Sequence, residues 1–319
     1  MIGESKRDGA VENLFKKWGV KDLPDLLAFP KFIQIETVAT CNARCVMCTV
    51  EDWERSTILM SDALFDKILA QLEPRARWIE RVTPQLGGEP LIDKKIESRI
   101  AELKRIGIRH TEITCNASLL DAKRREGLLG SGLDRISFSI DGNTAETFEK
   151  IRKRLKFEEC INNILEFVAL RDKLGVPLSV RIRMTVQPDN EHEYEDYLAF
   201  WKKHLAPGDI VYGKLLHNFG GRLTAMAAPE LDEEEKERLN NSACISPFTT
   251  LVIFSDGRVP MCCIDMNAEH SFGNINDASI EEIWHGSAVN WIRQQHLTEG
   301  RKGVEMCVDC NCWDEVAQL

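Results

Sequence analysis

The chain has 319 residues, 43% hydrophobic and 29% charged, the balance of an ordinary globular protein with room for one large domain or a domain plus a smaller one. Its formal net charge of −10, from 51 Asp and Glu against 41 Lys and Arg, argues against a nucleic-acid surface, because no positive excess is available to neutralise phosphates. No apolar segment reaches the ~18–20 residues of a membrane helix, and the start, MIGESKRDGAVENLF, lacks the apolar core of a signal peptide, so a cytoplasmic protein with reduced thiols is expected.

Residues 1–31 form a helical lead-in: VENLFKKW has helix spacing, and Pro24 and Pro30 punctuate the stretch after it. KFIQIETVAT alternates apolar and polar residues and reads as a strand that ends just before Cys41. Ser61 is placed to cap the helix DALFDKILAQL, whose Leu64, Phe65, Ile68, Leu69 and Leu72 share one face. WIERVTPQL is a strand running into GGEP. Ile96, Ile100 and Leu103 mark the next helix, stopped by Gly107. RHTEITCNA is a strand, a short helix carries Leu128 and Leu129, and LDRISFSIDG is a strand with turn residues at its end. Phe157, Ile161, Ile164, Leu165 and Val168 stripe a long helix ending near Gly175. LSVRIRMTV is a strand, EYEDYLAFWKKHL a helix and DIVYGKLLHN a sixth strand.

About six strands alternating with helices between residues 32 and 219 imply a parallel sheet with crossover helices. Six units fall short of the eight that close a full barrel. The expected fold class is therefore α/β, an open, partial (β/α)6 barrel, with a flat doubly wound sheet as second choice. Either puts the functional loops at the C-terminal ends of the strands. After about residue 230 the texture changes. TLVIFSDGRVPMC reads as a hairpin turning at Asp256-Gly257, SIEEIWHG and SAVNWIRQQHL as short helices, and the cysteines of CVDCNCW come last. The expected division is a lead-in at 1–31, the barrel at 32–230 and a small hairpin-plus-helix domain at 231–319.

Eleven cysteines in a reduced compartment suggest metal binding or catalysis, not a disulfide framework. Cys41, Cys45 and Cys48 are spaced C-x3-C-x2-C directly after the first strand. Three thiolates can hold a cubane iron–sulfur cluster by three of its irons and leave the fourth open to a small molecule. Their tight spacing lets the sulfurs converge at little closure cost. A zinc site completed by a distant fourth ligand is the alternative.

With this motif after its first strand, the chain resembles the radical S-adenosylmethionine (radical SAM) superfamily. GGEP, Gly87–Pro90, is similar to that superfamily's motif for the SAM amino group, and SFSIDG, Ser137–Gly142, resembles its fourth-strand segment. The resemblance implies a [4Fe–4S] cluster on Cys41, Cys45 and Cys48, with SAM chelated to the open iron. Gly87, Gly88 and Glu89 would meet the SAM amino group, Ser139 and Asp141 its ribose, and Arg152 its carboxylate, with Asn116 a further polar contact. It also implies the chemistry: an electron, from a donor such as flavodoxin or ferredoxin, cleaves SAM to methionine and a 5′-deoxyadenosyl radical, which abstracts hydrogen from substrate. Arg181 and Arg183 alternate along the fifth strand and so share one face. An inward Arg is costly unless paired, so Arg183 is expected at SAM or at a substrate carboxylate.

Near the C-terminus, Cys244, Cys262, Cys307 and Cys310 can make a complete four-thiolate site, and DGRVPMC supplies a Gly257-x4-Cys262 unit. The pattern resembles the twitch domain, the shortened form of the SPASM domain that follows many radical SAM barrels, and implies an auxiliary [4Fe–4S] cluster. The full SPASM pattern carries seven cysteines and two clusters; no cysteine follows Cys312 here, so one cluster is expected. Zinc suits an all-cysteine site equally well and stays open. Cys263 and Cys312 are left over. Cys263 reads either as a small buried thiol or substitute ligand, or as a catalytic hydrogen-atom donor of the kind found in radical SAM epimerases. Cys115 and Cys160 read as packing.

Lys214, His217 and Asn218, at the end of the sixth strand, are candidates for meeting a polar substrate. The expected reaction is oxidation or epimerisation of a small molecule, aminocyclitol or sugar-like, as in antibiotic assembly. Twitch enzymes resembling this chain include alcohol dehydrogenases in which the auxiliary cluster takes the second electron. Modification of a ribosomally made peptide is the alternative, although residues 1–31 are too short for a winged-helix recognition domain. A purely electron-transferring protein would offer four ligands at each cluster, which the three-cysteine motif does not.

Overall fold

The computed structural model describes residues 9–215 and 232–312. The chain forms two compact units: one of residues 34–216 with 254–256, the other of residues 1–33, 217–253 and 257–319.

Six strands follow the expected order, β1 (Phe32–Ile35), whose Gln34 and Ile35 open the first unit, then β2 (Arg81–Thr83), β3 (Glu112–Cys115), β4 (Arg135–Ser139), β5 (Ser179–Val186) and β6 (Ile210–Leu215) within it. β1 and β2 are neighbours, a parallel bridge from Val82 to Thr111 links β2 to the start of β3, and β3 to β6 form one parallel sheet in sequence order. β1 and β6 do not pair among the described residues, so the barrel is open, as six units require. The crossover helices Asp62–Leu72, Ile96–Arg105, Ala122–Gly130, Phe157–Leu174 and Tyr194–Lys202 have local causes. Ser61 Oγ accepts from Leu64 N at 3.2 Å, and Gly175 ends the long helix in the left-handed region at φ +65°. One face of the sheet, with Ile113, Ile136, Phe138, Val180, Ile182 and Met184, packs on Ile100, Leu128, Ile164, Phe167 and Trp201 of these helices. Each such side chain contributes about 1.5–3 kcal/mol when fully buried. Alternate residues therefore face the other way, and they are polar: register sets Glu112 beside Arg135, Thr114 beside Ser137, Ser137 beside Arg181, and Ser139 beside Arg183.

The second unit holds the helix Gly9–Trp18, the helix Glu233–Asn241, the strand Thr250–Ile253, the helix Ile280–Trp284 and the helix Ser287–Thr298. The acidic run Glu233-Glu234-Glu235 forms the first turn of its helix, which suits the dipole. Trp284 Nε1 donates to Leu27 O at 2.7 Å and Lys31 N to Thr249 O at 2.9 Å, which ties the N-terminal segment into this unit. The expected hairpin over TLVIFSDGRVPMC is corrected. Arg258–Pro260 pairs antiparallel with Ser271–Asn274, not with Thr250–Ile253. The intervening Phe254–Asp256 is held in the first unit, where Ser255 N donates to Glu36 Oε2 at 3.2 Å and the Arg55 guanidinium lies 3.7 Å from the Phe254 ring centre. No helix among the described residues is long and apolar enough to cross a membrane.

Candidate functional site

The loop after β1 carries Cys41, Cys45 and Cys48, all half-buried. A two-residue antiparallel ladder pins it: Cys45 lies opposite Arg152, and Val46 N donates to Ile151 O at 3.0 Å. Arg152 is 8% exposed and Asp141 fully buried. Arg152 Nε donates to Asp141 Oδ2 at 2.8 Å, and its Nη1 lies 3.7 Å from Cys45 Sγ. Burial works against the Arg152 charge, but Asp141 and the nearby thiols outweigh it and hold the guanidinium firmly protonated. Asp141 Oδ1 accepts from Thr185 N at 2.7 Å, and Asn190 Nδ2 donates to the carbonyls of Asp141 and Thr185. Asn190 is a brace that no sequence pattern marks.

Asn116, after β3, reaches the same loop. Its Nδ2 donates to Asn42 Oδ1 at 2.9 Å and lies 3.9 Å from Cys41 Sγ, while Ser118 Oγ donates to its Oδ1. Glu89, 3% exposed, uses both carboxylate oxygens on backbone: Oε2 accepts from Asn116 N at 2.8 Å and Oε1 from Leu91 N at 3.2 Å. Burial pushes its pKa up to about 7, against the pull of those N–H donors. Gly88 lies against the end of the β1 segment, where a Cβ would stand 2.3 Å from Val38 O and 2.8 Å from Thr40 O, and Glu89 N donates to Thr40 O at 2.9 Å. Gly87 beside it is half-buried. Ser139 accepts from Arg183 Nη2 at 3.1 Å, and Arg183 Nε is buried without a partner. Cys115 and Cys160 are buried in the core, as expected. Lys214 lies on β6, opposite Thr185 in the ladder. His217 and Asn218 lie outside the described residues.

In the second unit, Cys244, Cys262, Cys307 and Cys310 line one cavity together with His296 and Arg301. Gly257 sits at φ +90°, where a Cβ would stand 2.5 Å from Asn274 Oδ1, so the Gly-x4-Cys turn needs glycine. The fully buried Asp265 accepts from Glu269 N at 2.8 Å and His270 N at 3.1 Å and so organises the loop after Cys262. Asn240 clamps the C-x2-C turn through Asp309, accepting from its N at 2.8 Å. Arg301 donates to Leu239 O at 3.1 Å and Ser242 Oγ at 2.6 Å. Burial pushes the Cys244 thiol up to about 12. Cys263 and Cys312 are not among the cavity's lining residues; Cys312 clusters with Ile264 and Cys310, and Cys263 packs against them.

Residues 35–200 match the family profile described as the radical SAM superfamily. The chain belongs to this superfamily. Residues 244–311 of this radical SAM enzyme match the SPASM iron–sulfur cluster-binding domain, so [4Fe–4S] clusters and S-adenosylmethionine are its cofactors. The GTP 3′,8-cyclase of Listeria monocytogenes serotype 4b (strain CLIP80459) is 29% identical over 175 residues, 54% of this chain and 50% of that one. The chain thus spans about half the length of the curated cyclases it matches. Crystal structures that share the fold include the following two. BtrN in complex with AdoMet and 2-DOIA is 20% identical with a TM-score of 0.60, over 89% of this chain and 93% of that one. SuiB of Streptococcus suis bound to precursor peptide SuiA is 15% identical with a TM-score of 0.57, over 93% of this chain and 73% of that one.

Proposed function

We propose that this radical SAM enzyme oxidises a small, polar, oxygen-rich substrate, aminocyclitol or sugar-like, and that Cys244, Cys262, Cys307 and Cys310 hold an auxiliary [4Fe–4S] cluster that serves the oxidation. The observation that carries the reading is the cavity lined by all four of these cysteines, a complete ligand set in contrast to the incomplete one of Cys41, Cys45 and Cys48.

When bound, the front cluster and SAM supply the one-electron cleavage that starts hydrogen abstraction, and the rear cluster supplies a one-electron acceptor. The chain's own residues bind and orient. Arg152, held by Asp141, keeps a fixed positive charge beside Cys45, suited to a carboxylate. Ser139 and Arg183 offer a hydroxyl and a guanidinium for SAM or substrate. The Glu89 side chain acts on the backbone, positioning Asn116 and the turn after Gly88. The polar face of the sheet, with Thr114, Ser137, Arg181 and Arg183, suits a substrate rich in hydroxyl groups. Epimerisation is the second outcome, with Cys263, which does not line the four-cysteine cavity, as hydrogen-atom donor.

The test is anaerobic turnover with SAM and a reductant against a panel of polyols, aminocyclitols and sugars, in deuterated buffer. Faster deoxyadenosine formation, with a product that has lost two hydrogens, is the expected result. Carbon-bound deuterium in an unoxidised product would replace oxidation by epimerisation. Stimulation by peptides alone would overturn the small-molecule reading.

A further inference from the structure

We infer that His296 donates its Nε2–H to sulfur at the four-cysteine site, either a ligating thiolate or a cluster sulfide, and so raises the reduction potential of the auxiliary cluster. The inference rests on the reading of that site as a [4Fe–4S] centre.

His296 lies on the helix Ser287–Thr298 and is 1% exposed. The backbone N–H of Cys244 donates to its Nδ1 at 3.0 Å. A backbone N–H cannot accept, so the lone pair of Nδ1 is committed and the neutral ring carries its proton on Nε2. That Nε2 is buried and has no hydrogen-bond partner in the protein, although the ring lines the cavity with Cys244, Cys262, Cys307 and Cys310. A buried N–H left unpaired costs free energy, and a site rich in sulfur acceptors relieves it.

The same geometry argues against His296 as a ligand. With Nδ1 accepting, coordination through Nε2 would require an imidazolate or loss of the Cys244 contact. Ligating histidines normally do the reverse and donate from the second nitrogen. Hydrogen bonds to cluster sulfur stabilise the more negative, reduced state and raise the potential. Arg301, fixed by Leu239 O and Ser242 Oγ, adds a positive charge at the same cavity. Both residues suit a cluster that accepts an electron.

The test uses the full-length chain with Cys41, Cys45 and Cys48 replaced by Ala, reconstituted with iron and sulfide, so that only the rear site can bind. About four irons per chain show the cluster, and their absence sinks the cluster reading together with the inference. With iron present, pulsed electron–nuclear spectra of the reduced protein carrying isotopically labelled histidine read the contact directly. A weak nitrogen coupling accompanied by a proton that exchanges in deuterated buffer is expected. A strong, ligand-sized coupling, or none, overturns the inference. His296→Leu is expected to move the midpoint potential to more negative values and His296→Gln, which keeps an N–H donor, to restore part of the shift. An unchanged midpoint at full iron content in His296→Leu also overturns it. If that variant loses iron, the labelled protein with His296 intact decides.

Discussion

Single residues at the front site combine tight sterics with buried charge. Gly88 has the Val38 and Thr40 backbone carbonyls where a methyl would go, and the Thr40 carbonyl is held by Glu89 N. Gly88→Ala is expected to destabilise the cluster-free chain by about 3 kcal/mol, read from urea denaturation, and to cut iron uptake at Cys41, Cys45 and Cys48. Arg152 and Asp141 form a buried pair 2.6 Å apart at their closest atoms. Arg152→Leu should cost about 3–5 kcal/mol, because it strands a carboxylate that water cannot reach. Adding Asp141→Asn should recover about 1–3 kcal/mol of that loss. Strict additivity of the two substitutions would show that the pair is not coupled.

At the scale of elements, the strand starts carry a charged layer. Glu112 on β3 meets Arg135 on β4 at 2.9 Å and Arg81 on β2 at 3.1 Å, so one carboxylate ties three strands. Burial would raise its pKa, but His110, Arg81 and Arg135 outweigh it and pull the group down to about 2. A carboxylate depressed in the folded state stabilises fully above its unfolded pKa, near 4.3, and loses that contribution as the pH falls toward 2. The contribution is on the order of 3 kcal/mol at neutral pH. Glu112→Gln should therefore lower the urea midpoint of the cluster-free chain strongly at pH 7 and much less at pH 3. A gap that does not change with pH would remove the linkage. The element boundaries were legible from period and punctuation, as at Ser61 and Gly175, where the capping chemistry is local. The partner of Arg258–Pro260 was not, because Phe254–Asp256 is drawn away by Glu36 and Arg55, more than a hundred and ninety residues earlier.

For the whole molecule, two cubane sites predict about eight irons per chain. Replacing Cys41, Cys45 and Cys48 by Ala, or Cys244, Cys262, Cys307 and Cys310 by Ala, should leave about four. Zinc with the front cysteines intact and only about four irons would leave the rear site outside redox chemistry, and the oxidation reading would lose its acceptor. The sequence by itself determined the family, the open α/β barrel and the two cysteine groups, because cofactor ligands on one loop keep a fixed spacing and strands alternate with period two. Only the tertiary structure decided what surrounds those cysteines. Asn190 bracing Asp141, Glu89 turned onto the backbone of Asn116, and His296 and Arg301 at the cavity with Cys244 each meet residues well apart from them in sequence. Buried polar groups must find partners wherever folding brings them, and that requirement leaves no spacing to read.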